Sequence, residues 1–225
     1  MLLRYQNQQY DLTDIDAVIF DLDGTLVESE PVWTEAKQYI ANRENVAVSE
    51  QILSAYEGRS VADFVVEVMA PANAQLIEKV IIERALARYD NNVFEINGAS
   101  NLVRTLFKNG FATAICSSAP ETAIQKCVKL LDIGSCINEV VSSEFLAKGK
   151  PDKLPYIETL HRLGIPAERA IVFEDASAGL TSSISAGIKT ICVGPYAKLR
   201  NFDCVIYAEN IGDIGFTASH SSKLL

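Results

Sequence analysis

Asp21 and Asp23 stand two residues apart, directly after the apolar run Ala17-Val18-Ile19-Phe20 and directly before Gly24-Thr25. In a turn, rather than a strand, both carboxylates can face one crevice, the first as a nucleophile and the second as proton donor to a leaving oxygen. A carboxylate that attacks an anionic phosphoryl group must first have the mutual repulsion relieved, which calls for a divalent cation and a nearby positive or hydrogen-bonding group. The chain holds each of these parts. Ser117 can donate to a phosphoryl oxygen, Lys150 can neutralise its charge, and Glu174 with Asp175 offers hard oxygens suited to magnesium. Gly24 lets backbone approach the phosphoryl oxygens. Taken singly these residues are ordinary, since Asp-Gly marks turns, Ser caps helices and Lys decorates surfaces.

The elements that must position them can be read from the apolar pattern. The strand ending at Phe20 is followed, from Pro31 to about Tyr89, by helical periodicity. One stripe there is Val32, Ala36, Tyr39 and Ile40, and another is Leu76, Ile77, Val80, Ile81 and Leu86. Beyond Asn97-Gly98 a helix is predicted near 99–108, then a strand over 111–116 that opens into Ser117-Ser118-Ala119-Pro120. A helix from Glu121 to about Leu131, a strand around 139–141 and the loop Lys148-Gly149-Lys150-Pro151 come next. A helix to Leu163, a strand over 170–173 ending in Glu174-Asp175, a helix from Ser177 and a strand over 190–193 complete the pattern. Such alternation predicts an α/β fold, a Rossmann-like parallel sheet with helices on both faces and its ligand crevice at the strands' carboxyl ends. The helical stretch is too long for a crossover and reads as an inserted all-helical cap over 27–93, with 1–26 and 94–225 as the catalytic core.

Composition narrows the partners. The 225 residues carry 20 Lys and Arg against 29 Asp and Glu, a formal charge of −9, with no basic run, which disfavours nucleic acid. The five cysteines lack CxxC spacing, so reduced thiols in a cytoplasmic protein are expected rather than disulfides or zinc. Neither a signal peptide nor an apolar run of about 18 residues is present, so no membrane partner is expected. The ending Ser222-Lys223-Leu224-Leu225 misses the peroxisomal tripeptide by one residue, and His161 and His220 have no partner pattern. A monomer is expected, with a dimer left open.

The ordered set of Asp21-Leu22-Asp23-Gly24-Thr25-Leu26, Ser117, Lys150 before Pro151, and Glu174-Asp175 with Gly179 resembles the four motifs of the haloacid dehalogenase superfamily, over essentially the whole chain. Two departures stand beside them: Ala176 where relatives often have Ser, and Pro151-Asp152-Lys153-Leu154-Pro155 in place of a common Pro-Ala-Pro-Asp stretch. The resemblance implies Asp21 as nucleophile and metal ligand, and Asp23 as general acid and base whose backbone carbonyl also meets Mg2+. It further implies Ser117 and Lys150 on the phosphoryl group, and Asp175 and Glu174 on the metal, Glu174 directly or through water. Gly24, Thr25 and Ser118 are the matching substrate-binding candidates in the core.

A helical cap inserted after the first motif is similar to the subgroup containing β-phosphoglucomutase and small sugar-phosphate phosphatases. Glu28-Ser29-Glu30-Pro31-Val32-Trp33 resembles the hexose- and hexitol-phosphate phosphatases of that subgroup. The implied activity is magnesium-dependent hydrolysis of a small phosphorylated metabolite, a sugar or polyol phosphate, through a phosphoaspartate. A phosphosugar mutase is the alternative, although Trp33 stands where the mutase has a histidine, and Trp33 itself is read as cap packing. A phosphoaspartate signalling receiver is a third reading, at odds with the chain's length. Gly58-Arg59-Ser60 falls where the cap of relatives sends a loop over the site, making Arg59 a substrate-binding candidate.

Overall fold

The structure, a computed structural model, describes residues 1–217, so His220 and the Ser222–Leu225 ending lie outside the described residues. In chain order, a hairpin of β1 (Leu2–Tyr5) and β2 (Gln8–Asp11) precedes β3 (Ala17–Phe20) and the short β4 (Val27–Glu28). The cap follows as α1 (Glu30–Arg43), α2 (Glu50–Ala55), α3 (Val61–Phe64), α4 (Ala74–Leu86) and α5 (Tyr89–Asn92). Return to the core runs through β5 (Phe94–Glu95), which pairs antiparallel with β4, and α6 (Ala99–Lys108). Next come β6 (Ala112–Ser117), α7 (Glu121–Leu130), β7 (Glu139–Ser142), α8 (Leu154–Leu163) and β8 (Ala170–Glu174). The described chain finishes with α9 (Ser177–Ser185), β9 (Lys189–Val193), β10 (Ile206–Ala208) and β11 (Gly215–Thr217).

Six strands form one parallel sheet in the order β10-β9-β8-β3-β6-β7. β3 lies inside it, and strand alternation sends its side chains to two different cores. Val18 and Phe20 join the large cluster with Leu102, Val103 and Ile124 of α6 and α7, where Phe20 stacks on Phe173 at 5.1 Å. Ala17 and Ile19 join Tyr156 and Leu160 of α8 on the opposite face. The fold class expected from the sequence is thus the one observed, a Rossmann-like sheet covered on both sides with a helical cap. From β3 the chain builds β6 and β7 on one side and then crosses to β8 on the other, a topological switch that opens a crevice beyond β3.

Two readings of the cap need correction. Val32, Ala36 and Ile40 are buried as expected, but Tyr39 is 48% exposed and carries the Arg84 guanidinium on its ring at 3.4 Å. In α4 the inward row is Ile77, Ile81 and Ala85, spaced by four, while Leu76 points to solvent because one residue's rotation takes it off that row. The N-terminal hairpin was not foreseen; it pairs with β11 in a separate three-stranded antiparallel sheet. All five cysteines are free thiols. Among the described residues no helix is long and apolar enough to cross a membrane.

Candidate active site

β3, β6 and β8 are adjacent, so their carboxyl ends deliver Asp21, Ser117 and Glu174-Asp175 to one place. The Asp21 amide still bonds to the Phe173 carbonyl at 3.0 Å, which holds the start of the loop in register with β8. Beyond it the chain turns sharply through Gly24, whose φ of +84° suits only a residue without Cβ. A side chain there would also overlap the Asp175 carboxylate. Gly24 therefore makes room for Asp175, while Thr25, fully buried, donates its hydroxyl to Asp175 Oδ1 at 2.9 Å.

Lys150 arrives from the loop before α8 and is buried. Its ammonium has three donors and uses all of them, on Asp21 Oδ1 at 2.6 Å, the Cys116 carbonyl at 3.0 Å and Glu174 Oε1. Burial alone would lower its pKa, but the Asp21 and Glu174 carboxylates overcome that and raise it. The lysine is thus a permanent cation.

Glu174 is saturated. Oε1 also accepts from the Tyr156 hydroxyl at 2.7 Å, and Oε2 accepts from the amides of Asp175 and Ala176 at 3.1 and 3.3 Å. Asp21, Glu174 and Asp175 each present a carboxylate oxygen within 4.8 Å of the others. Burial first, then the charge of Glu174, pushes the Asp21 pKa well above the usual range. Burial first, then Asp21, does the same to Asp175. Crowded carboxylates of this kind, with Lys150 already engaged, fit a divalent cation bound by oxygen ligands.

Asp23 is held separately. Its Oδ1 accepts from the Ser29 hydroxyl and, at 3.1 Å, from the Trp33 indole N–H; its Oδ2 accepts from Ser117 at 3.2 Å. Trp33 does pack in the cap, edge-on to Tyr89, but it also reaches the carboxylate. The Ser117 hydroxyl, which accepts from the Ala119 amide, spends its one proton on Asp23 in this arrangement. Ser29, Trp33 and Tyr156 were missed as site residues by the sequence reading. For Trp33 the signal lies in the sequence, because position 33 stands where the mutase has a histidine.

The cap closes over this floor. Gly58, at φ +71°, packs so tightly on Ala176 that a Cβ would come within 2.6 Å of the alanine methyl, and its carbonyl accepts from Ser118 at 2.9 Å. Arg59 next to it lines the same pocket as Asp21 and Asp23, but its guanidinium is bound to Glu67 in a two-pronged pair and lies 3.6 Å from Asp63. On the cap side the pocket is lined by Glu30, Trp33 and Lys37 of α1.

A family model described as haloacid dehalogenase-like hydrolase matches residues 18–193, from β3 through β9. Hexitol phosphatase A of Escherichia coli is 30% identical over 196 residues, covering 84% of this chain and 89% of that protein. Validoxylamine A 7′-phosphate phosphatase of Streptomyces hygroscopicus subsp. limoneus is 29% identical over 180 residues, covering 78% and 83%. In structure, β-phosphoglucomutase from Clostridium difficile superposes with a TM-score of 0.79 over 90% of this chain and 94% of that one, at 19% identity, a likeness of fold. With motifs, sheet order and cap in agreement, the chain belongs to the haloacid dehalogenase-like hydrolases.

Proposed function

We propose that the chain is a phosphoric monoester hydrolase acting on a small phosphorylated metabolite, a sugar or polyol phosphate, with Asp21 as nucleophile. The observation that carries this reading is the contact of Lys150 with Asp21 Oδ1, which leaves Oδ2 without a donor among the described residues and free to attack. Asp21 and Asp175 would hold magnesium, with the Asp23 backbone carbonyl. Glu174, saturated by four donors, would act on it through water. When bound, the ion offsets the negative charge shared by the carboxylates and the phosphoryl oxygens.

In the first step Asp21 Oδ2 forms a bond to phosphorus as the ester P–O bond breaks, and the leaving oxygen takes a proton from Asp23. In the second, Asp23 takes a proton from water, whose oxygen displaces Asp21 and releases inorganic phosphate. Lys150 holds the nucleophile in place and Ser117 orients Asp23 or the phosphoryl group. The nature of the relatives supports the substrate class: both are named as phosphatases, one of hexitols and one of validoxylamine A 7′-phosphate. The test is phosphate release by the purified chain with magnesium across phosphorylated sugars, polyols, nucleotides and glycolate. No release from any of them overturns the reading.

A further inference from the structure

Lys37 is a cation that the phosphatase reading does not use. It lies in α1 with 2% of its surface exposed, and it lines the pocket above Asp21 and Asp23. Its Nζ has three donors to satisfy, yet its partners are the Tyr56 carbonyl at 3.4 Å, Glu30 Oε1 at 3.6 Å and the Phe64 ring at 5.9 Å. The first is a long hydrogen bond and the second exceeds hydrogen-bond range. A buried ammonium left so loosely held is costly unless another polar group completes its shell. Glu30, two turns earlier on the same face of α1, lines the same pocket and receives a 3.3 Å bond from Thr34.

The charges of the pocket limit what that missing group can be. Asp21, Asp23 and Glu30 are acidic there, and Arg59 is already occupied by Glu67 and Asp63. A carboxylate or second phosphate on the substrate would enter an excess of negative charge in which, among the described residues lining the pocket, Lys37 is the one cation not held in a close carboxylate pair. Burial, more than the repulsion of Asp23 and Glu57, lifts the Glu30 pKa to about 7 against the pull of Lys37. A purely apolar alcohol would leave Lys37 unpaired. A hydroxyl can both accept from Lys37 and donate to Glu30.

We propose that Lys37 and Glu30 form a subsite for the alcohol half of the substrate, selecting an uncharged polyhydroxyl chain or ring whose neighbouring hydroxyls bridge the two side chains. This rests on the phosphatase reading and assigns its specificity to the cap.

The test is steady-state kinetics of the full chain with magnesium on sorbitol 6-phosphate, phosphoglycolate and p-nitrophenyl phosphate. The native protein should favour sorbitol 6-phosphate over phosphoglycolate in kcat/KM by at least about tenfold. Lys37→Met should cost roughly tenfold to a hundredfold on sorbitol 6-phosphate and less than about threefold on p-nitrophenyl phosphate. Glu30→Gln should shrink the native preference against phosphoglycolate. Equal losses on sorbitol 6-phosphate and p-nitrophenyl phosphate, no loss on the polyol, or a native preference for phosphoglycolate overturns the subsite. Failure of the native chain on all three strikes the phosphatase reading instead. If Lys37→Met does not fold by circular dichroism, Glu30→Gln, altering a partly exposed side chain, decides alone.

Discussion

Gly179 lies directly against Glu174, so close that a methyl group at position 179 would overlap the Glu174 carboxylate. The helix α9 thereby leaves the space in which Glu174 meets Lys150 and Tyr156. Gly179→Ala should fold with a stability loss of about 1–3 kcal/mol, because either the carboxylate or the helix must shift. Activity should fall with it, as Glu174 leaves Lys150. An unchanged melting temperature with full activity would show the contact to be soft.

Asp21→Asn keeps the shape of the side chain and removes its charge. Turnover should fall by roughly ten-thousandfold or more, with the fold intact by circular dichroism. Residual activity above about a tenth of native would remove Asp21 from the reaction.

Lys150→Met removes the cation from two buried carboxylates, Asp21 and Glu174, and a buried pair broken on one side costs about 3–5 kcal/mol. Chemical denaturation at neutral pH should report a loss of that order. A change within about 0.5 kcal/mol would mean that water already reaches the pair.

Magnesium binding should be proton-linked. Asp21 and Asp175 have folded pKa values raised above their unfolded ones, by burial first and by neighbouring carboxylates second. Their share of stability in the metal-free protein is therefore present below about pH 4 and lost as pH rises through the folded values. Magnesium takes the deprotonated form, so its affinity should weaken as pH falls, with protons released on binding. At a hundredfold excess over Kd it should add about 2.7 kcal/mol of stability. Calorimetry in buffers of different ionisation enthalpy measures the release, and an affinity constant between pH 5 and 8 would contradict the linkage.

Trp33→Phe retains an aromatic ring beside Tyr89 and deletes the N–H that reaches Asp23. On the proposed mechanism an alkyl leaving group takes its proton from Asp23, whereas p-nitrophenolate leaves without one. The substitution should slow sugar-phosphate hydrolysis by roughly tenfold and p-nitrophenyl phosphate far less. Equal effects on both would assign Trp33 to packing alone.

Much of this was legible because strands such as 17–20 and 170–174 are apolar runs that stop at polar residues, and a parallel sheet aligns those stops. The hairpin of β1 and β2 was not legible: its sides are half exposed and its partner β11 lies about 200 residues away. Lys37 escaped for the opposite reason, since a charged residue at a helical spacing reads as solvent-facing although Glu30, Trp33 and Lys37 share one face of α1. Tyr156 was hidden because only the packing of α8 brings its hydroxyl to Glu174.

Asp23 is gripped from both sides of the cleft, by Ser117 on β6 and by Ser29 and Trp33 at the start of the cap. A cap that swung outward would carry the indole away and leave the carboxylate loosely tethered to the core. On the proposed mechanism proton transfer would thereby be interlocked with enclosure: Asp23 keeps all three of these donors only while the cap stays down, so a gaping cleft would be poorly armed to squander its reaction on the wrong molecule.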